Sequence, residues 1–286
     1  MYPEEAGAAP AGGADYFPQP SMKSRLAYHL EGLVPIIIIL ILAVFLAVKF
    51  DIINSNTPVL GIIADLVEPS KKISMLIISE NENSVSPFII ETLNQNSDLV
   101  KYRIRPGTDL SINPKQKIEN YDLIMLDGLK YISLSLGKGI QEYVKGGGKV
   151  IFVMDAGIRR PSTPDVLGWE DTFGDIVPVS CEKSDTGTPG CTDKLFIRGK
   201  LYREDEENKI LRGFAEVPPE PNGYKDFEVL NVNYTGNELA YIKGGQYQKP
   251  FPGIVEKKLV FGKSLYFNYD IGTTPGIMMA TIDYLK

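Results

Sequence analysis

The hydrophobic positions of the chain begin with one uninterrupted apolar run, which extends from Gly32 to Val48 and contains no charged residue. As a helix it would reach about 26 Å, near the lower limit for the apolar core of a bilayer. Residues 36–41 are apolar on every helical face, unlike the striped face of a helix that packs on a core. The run therefore predicts a transmembrane helix over residues 32–50, with the Lys49 side chain reaching the interface.

Two alternatives for this run are a cleaved signal peptide and a buried core helix. Ala43 and Ala47 are small, but no signal-peptidase motif precedes a polar mature start.

Lys23 and Arg25 precede the run, whereas only Lys49 follows it closely. This asymmetry favours a cytoplasmic N-terminus and an extracytoplasmic domain. We expect a single-pass protein of the cell membrane.

The flanks of this run have no regular pattern. Residues 1–31 begin with a stretch rich in Pro, Gly and Ala, and we expect this tail to be disordered. Residues 51–71 are expected to form a juxtamembrane linker. Its apolar part, Val59–Val67, can lie on the membrane or against the domain.

From Lys72 the pattern changes to short apolar runs that alternate with helical segments. Continuous apolar runs bounded by polar residues are typical of buried parallel strands. The predicted strands cover 72–79, 99–104, 121–128 and 149–157, and the predicted helices cover 87–94 and 136–144. Strand character returns at 238–243, 253–260 and 263–269, before a final helix over 274–285.

This order of elements predicts an α/β domain over residues 72–286, preceded by the transmembrane helix. Its sheet is expected to be mostly parallel and flavodoxin-like, with helices on both faces. Gly262-Lys263 predicts a hairpin turn between the last two strands. Residues 158–225 are rich in Pro, Gly and charge, with only short strand candidates such as Lys194–Lys200, and we expect them to form an irregular insertion or an edge subdomain.

Composition excludes several kinds of function. The net charge is −6 and the visible basic clusters are pairs such as Lys71-Lys72, so no nucleic-acid partner is expected. His29, on the edge of the apolar run, is the only histidine. A Ser-His or Cys-His catalytic pair therefore cannot form inside the domain. With two cysteines in the chain, a cysteine-histidine zinc site is excluded as well, and no cofactor is expected.

Cys181 and Cys191 are ten positions apart in a stretch rich in Gly and Pro. In an oxidising compartment they predict a disulfide that closes a loop, and two free surface thiols are the alternative. Asn233-Tyr234-Thr235 is a glycosylation sequon, which is relevant if the domain lies outside the cell.

Acidic residues follow several of the predicted strands. Glu80, Asp127, Asp155 and Asp270 each stand at or just beyond a strand end. Ligands of open parallel sheets bind at this edge, so the four acids are candidate ligand-binding residues. They suit a hard cation or sugar hydroxyls, while turn formation and helix capping are the structural alternatives. The nature of any metal stays open.

The third-strand YDLIMLDG, the GGGKVIFV segment and the late PGIVEKKLVFGKSLYFNYDIG resemble the class I glutamine amidotransferase-like superfamily. The resemblance is closer to its ThuA-like branch and to domains of gliding-motility transporter accessory proteins and of an oligosaccharyltransferase subunit. It covers residues 72–157 and 237–286. The family's enzymes carry a nucleophilic Cys on a sharp turn after a strand, whereas the corresponding turn here reads Met154-Asp155-Ala156-Gly157.

The resemblance therefore implies the fold without the amidotransferase activity. The expected function is a membrane-anchored, catalytically inactive binding or assembly module outside the cell. Its partner is expected to be another membrane protein, as for an accessory subunit of a transporter or glycan-transfer complex. The alternative is a ThuA-like hydrolase that acts on a sugar-like substrate through Asp127, Asp155 and Asp270.

Overall fold

The computed structural model describes residues 72–181, 191, 193–219 and 223–286, together with the single positions 35, 38, 39, 42 and 43. The chain divides into two units, Met1–Ser70 and Lys71–Lys286. The predicted tail 1–31 and linker 51–71 lie outside the described residues, as does most of the predicted membrane helix, although its five described positions are helical. Among the residues described, no helix is long and apolar enough to cross a membrane.

The second unit consists of a large sheet with helices. The strands are β1 (Ile73–Ser79), β2 (Val100–Pro106), β3 (Leu123–Leu126), β4 (Lys149–Val153), β5 (Arg159–Arg160), β6 (Thr163–Leu167), β7 (Val179–Cys181), β8 (Lys194–Arg203), β9 (Glu216–Val217), β10 (Lys225–Leu230), β11 (Val232–Tyr234), β12 (Asn237–Gly244), β13 (Phe251–Lys258) and β14 (Lys263–Phe267). The α-helices are α1 (Pro87–Gln95), α2 (Pro114–Ile118), α3 (Leu134–Lys145), α4 (Glu170–Phe173) and α5 (Pro275–Tyr284).

The main sheet has ten strands, and its central path runs β10-β8-β12-β13-β14-β4-β3-β1-β2, with β9 paired to β8. From β2 to β14 every pairing is parallel. From β14 to β10 every pairing is antiparallel. The predicted α/β class is confirmed. The mostly parallel sheet is confirmed for one half, because the predicted hairpin at Gly262 reverses the chain and the strands beyond it continue antiparallel.

Strand alternation divides the buried side chains between two cores, one on each face of the sheet. On β1, Met75 and Ile77 face the first core and Leu76 and Ile78 face the second. Buried residues of α1 and α5 belong to the first core, and those of α3 and α4 to the second. Helices on both faces are thus confirmed, and continuous apolar strands are what such a two-sided sheet requires.

The segment 158–225 is more regular than we predicted. It supplies β8, a ten-residue strand that pairs with β10, β12 and β9 and is therefore internal to the main sheet. It also contains Trp169, which is 1% exposed and packs edge-on against Tyr266 at 5.6 Å. These residues form part of the domain's own core.

The predicted disulfide between Cys181 and Cys191 is present, with a Cα–Cα distance of 5.3 Å. Cys181 ends β7, which pairs antiparallel with β11. The candidate glycosylation residue Asn233 lies on β11 opposite Ser180 and is exposed.

Candidate carboxylate site at the strand ends

Three of the four predicted acids converge at the carboxyl edge of the parallel strands. Asp127 follows β3, Asp155 follows β4, and Asp270 lies three residues after β14. The charges of Asp270 and Asp155 both raise the pKa of Asp127, so the three carboxylates lie within electrostatic reach. Parallel strands produce this convergence because their carboxyl ends all meet at one edge.

Asp127 is the most buried of these acids, at 7% exposure. Its Oδ2 accepts a hydrogen bond of 2.8 Å from the backbone N–H of Ser86, just before α1. Burial raises the pKa of Asp127 to about 6, although the Ser86 hydrogen bond and the charge of Lys194 oppose the shift. This carboxyl group therefore exchanges its proton near neutral pH.

Ser86 also connects this acid to Asp270. Its Oγ donates a hydrogen bond of 2.6 Å to Oδ2 of Asp270. The other carboxylate oxygen of Asp270 accepts 2.9 Å from the N–H of Gly272 and caps the short 3-10 turn Ile271–Thr273. Two of the predicted acids are thus held in one hydrogen-bonded chain, Asp127–Ser86–Asp270. Asp270 performs the capping role that the sequence left as an alternative, whereas Asp127 holds the backbone of Ser86 at the start of α1.

The other two acids behave differently. The carboxylate of Asp155 accepts no hydrogen bond from any residue that the structure describes, and its charge acts on Asp127 and on the buried hydroxyl of Tyr266. Glu80 is exposed and its Oε1 accepts a hydrogen bond of 3.2 Å from the N–H of Lys130. Asp155 is therefore the one of the four acids whose carboxylate has no hydrogen-bonding role among the described residues.

Two lysines from the antiparallel half approach these acids, and sequence reasoning missed both. Lys194 lies 3.2 Å from Glu228, and its charge lowers the pKa of Asp127. Lys225 donates a hydrogen bond to the backbone oxygen of Thr273; burial lowers its pKa, and the charge of Asp270 opposes this. No local sequence signal marks either residue, because both reach the site through the pairing of β8 and β10.

The turn after β4, Met154-Asp155-Ala156-Gly157, is sharp. Met154 has a φ of +52°, in the left-handed region that few non-glycine residues adopt, and Gly157 follows with a φ of +73°. The N–H of Met154 donates 2.8 Å to the carbonyl of Phe267 on the neighbouring strand. The Met154 side chain is 7% exposed and belongs to the first core.

No group of three or more His, Cys, Asp or Glu side chains in the described part of the chain is arranged to hold a metal ion. Trp169, Tyr266 and Tyr269 are at most 1% exposed, which gives them the role of core residues. The Tyr266 hydroxyl donates to Oδ1 of buried Asn268, whose amide also binds the backbone of Leu230.

No family model matches the chain, and no curated protein matches it. Solved structures do match. A cold-adapted β-galactosidase from Rahnella sp. R3 has a TM-score of 0.51 at 12% identity, over 79% of this chain and 34% of the enzyme. A β-galactosidase from Bacillus circulans sp. alkalophilus has a TM-score of 0.50 at 13% identity, over 81% of this chain and 35% of the enzyme.

A putative ThuA-like protein from Bacteroides uniformis has a TM-score of 0.49 at 12% identity, over 74% of this chain and 91% of that protein. The chain spans about a third of the length of the β-galactosidases that it matches. At these identities the two β-galactosidase matches show a shared fold and nothing of shared chemistry.

Proposed function

We propose that the chain is a membrane-tethered, catalytically inactive amidotransferase-like domain that acts as a binding or assembly module outside the cell. The observation that carries this proposal is the state of the strand-end acids. Asp127 and Asp270 accept hydrogen bonds that fasten α1 and the last turn to the sheet. The sharp turn carries Met154, whose thioether has no proton to lose and cannot be activated as a thiolate or hydroxyl nucleophile is.

The tether is supported by the uncharged run Gly32–Val48 and by the basic residues that precede it. The Cys181–Cys191 disulfide favours an oxidising compartment for the domain. A partner in the same membrane is the simplest target for such a module. We propose that the partner is another membrane protein, as for an accessory subunit of a transporter or glycan-transfer complex.

A second candidate is a hydrolase of ThuA-like type that acts on a sugar-like substrate. Its support is the pKa of about 6 at Asp127, which suits a general acid or base, beside the unbonded carboxylate of Asp155. A chromogenic β-galactoside is a suitable sugar substrate for testing this candidate.

The deciding experiment is a pull-down of the tagged full-length protein in a mild detergent, analysed by mass spectrometry. We expect a membrane protein to co-purify at a fixed ratio, and Asp155→Asn to retain it. Recovery of the protein alone and monomeric would contradict the assembly role.

The same preparations separate the two candidates through hydrolysis of a chromogenic β-galactoside. Wild type is expected to match the buffer blank. Hydrolysis that Asp155→Asn abolishes, while the exposed Asp171→Asn keeps it and both variants unfold like wild type, would establish the hydrolase instead.

A further inference from the structure

The edge strand β2 presents three cations on one face of the sheet. Lys101, Arg103 and Arg105 are exposed and alternate with Tyr102 and Ile104, which pack against the first core. Because side chains alternate along a strand, the three cations point to the opposite face, spaced about 6.6 Å apart. They sit beside Ser74, Leu76 and Ile78 of β1 in the parallel register.

A cavity of about 460 Å³ lies on this face, and all three cations line it. Helix α2 closes its other side and contributes Lys117 and, just beyond its end, Tyr121. The ammonium group of Lys117 donates a hydrogen bond to the backbone oxygen of Asp109, which connects α2 to the loop after β2. Four cations from two elements therefore surround one concave space.

The residues that line this cavity carry more positive than negative charge. Asp109 is the one acid among them, and the carboxylate of Asp122 lies nearby, where it accepts a hydrogen bond of 2.8 Å from the N–H of the lining residue Ser74. None of Lys101, Arg103 and Arg105 forms an ion pair with any residue in the described ranges. The chain as a whole carries a net charge of −6, so this concentration of positive charge opposes its average. Binding of an anion would reduce the Coulomb repulsion between these cations.

We propose that this cavity is a binding site for a phosphate-bearing anion. The two guanidinium groups offer the planar forks that match phosphate oxygens in pairs, and the ammonium groups of Lys101 and Lys117 add positive charge. A space of this size holds a headgroup or a small phosphate ester. The ligand is either the headgroup of an anionic phospholipid or a free phosphate ester.

Protection of the sheet edge is the competing explanation, since lysine and arginine on an edge strand discourage pairing with another chain. That role needs only the residues of β2. It does not involve Lys117 of α2, which lines the same cavity and is held there by its hydrogen bond to the backbone oxygen of Asp109. The site belongs to the α/β domain and does not depend on the tether or on the absence of catalysis.

The test is isothermal titration calorimetry. The full-length protein, solubilised in a neutral detergent at physiological ionic strength, is titrated with inorganic pyrophosphate. We expect saturable binding that weakens about tenfold for each lost guanidinium in Arg103→Gln/Arg105→Gln. Arg198→Gln/Arg212→Gln removes the same charge from exposed positions outside the cavity and should bind like wild type.

Lys117→Gln is the second variant, because it leaves the edge strand intact. It should also weaken pyrophosphate binding, whereas edge protection predicts no effect.

Adding phosphatidylglycerol to the detergent, with phosphatidylcholine as its control, distinguishes a phospholipid headgroup from a free phosphate ester as the ligand. A fall in pyrophosphate affinity with phosphatidylglycerol alone identifies a lipid headgroup, and an unchanged affinity identifies a free ester. Pyrophosphate binding that is equal in wild type, Arg103→Gln/Arg105→Gln and Lys117→Gln overturns the proposal.

Discussion

Asp127 is held in a place where its own ionisation works against folding. Its pKa rises from 3.8 to about 6 because burial penalises the charged form, and the nearby charges of Asp270 and Asp155 add to the effect. An acid whose pKa is higher in the folded state than in the unfolded state contributes to folding stability. This contribution is fully present below the unfolded-state pKa and is lost as the pH rises through the folded-state pKa. The loss amounts to at most about 3 kcal/mol above pH 6.

The first prediction concerns Asp127→Asn. The amide oxygen can still accept from the N–H of Ser86, while the ionisation penalty is removed. We therefore expect the variant to be more stable than wild type by about 1–3 kcal/mol at neutral pH, and the difference to vanish near pH 4. Urea unfolding followed by circular dichroism across this pH range measures it.

Asp171→Asn serves as the control, because Asp171 is a largely exposed carboxylate paired with Arg160. Its stability difference from wild type should stay small at every pH. If Asp127→Asn were instead the less stable protein at neutral pH, the ionised carboxylate would be needed in the hydrogen-bonded chain with Ser86 and Asp270.

The convergence of the acids could be predicted from sequence, but their bonding could not. Asp127, Asp155 and Asp270 each follow an apolar strand run, and parallel strands bring such ends together. The sequence does not reveal that Ser86 bridges two of them, because that contact depends on where α1 begins relative to strands far away along the chain. Nor does the sequence reveal that Lys194 of β8 lies near Asp127, because that contact also depends on strands far apart along the chain.

At the scale of elements, the parallel strands and the late strands β12, β13 and β14 were predicted from sequence, whereas β8 was recognised only in part. β1, β3 and β4 are buried on both faces and give continuous apolar runs. β8 reads KLFIRGKLYR, with buried and exposed residues mixed and a glycine in the middle. Such a strand is specified by its partners β10 and β12, which follow later in the chain.

The basic cavity also depends on contacts between elements that the sequence does not show to be neighbours. Lys101, Arg103 and Arg105 are separated by single residues, so they do not look like a charge cluster in sequence. The strand predicted over 99–104 already places Lys101 and Arg103 on one face, and the observed β2, which extends to Pro106, adds Arg105. The alternation was available as a signal, whereas the arrival of Lys117 depends on how α2 crosses back over the sheet.

The second prediction tests the place of β8 in the sheet. Gly199 of β8 lies opposite Gly244 of β12, and a Cβ added at Gly199 would lie 2.3 Å from the carbonyl oxygen of Lys243. The backbone of a strand cannot yield as a flexible side chain does. We expect Gly199→Ala to destabilise the domain by about 1–3 kcal/mol, measured by urea unfolding.

The matched control is Gly245→Ala, in the turn after β12. A Cβ at Gly245 meets nothing within 4 Å, so this substitution should leave stability unchanged or slightly higher. Equal behaviour of the two variants would mean that β8 and β12 do not approach as closely as Gly199 and Gly244 allow.

At the scale of the whole molecule, the proposed membrane tether leads to a prediction about the side of the membrane on which the domain lies. The candidate anchor Gly32–Val48 precedes the described domain by more than twenty residues of sequence. The Cys181–Cys191 disulfide gives a chemical marker in the domain, and Ser21 gives a position in the N-terminal tail. An oxidising compartment outside the cytoplasm is where such a bond persists.

The last prediction uses this marker with a membrane-impermeant maleimide on intact cells. We expect no labelling before a reductant is added, since both thiols are in the bond, and labelling of Cys181 after it is added. In a Cys181→Ser/Cys191→Ser background, Ser21→Cys should label only after lysis, because the basic residues before the anchor favour a cytoplasmic tail. Domain thiols that label without reductant, and only after lysis, would place the domain in the cytoplasm. Such a result would exclude a partner outside the cell while leaving the phosphate-binding cavity of β2 and α2 untouched.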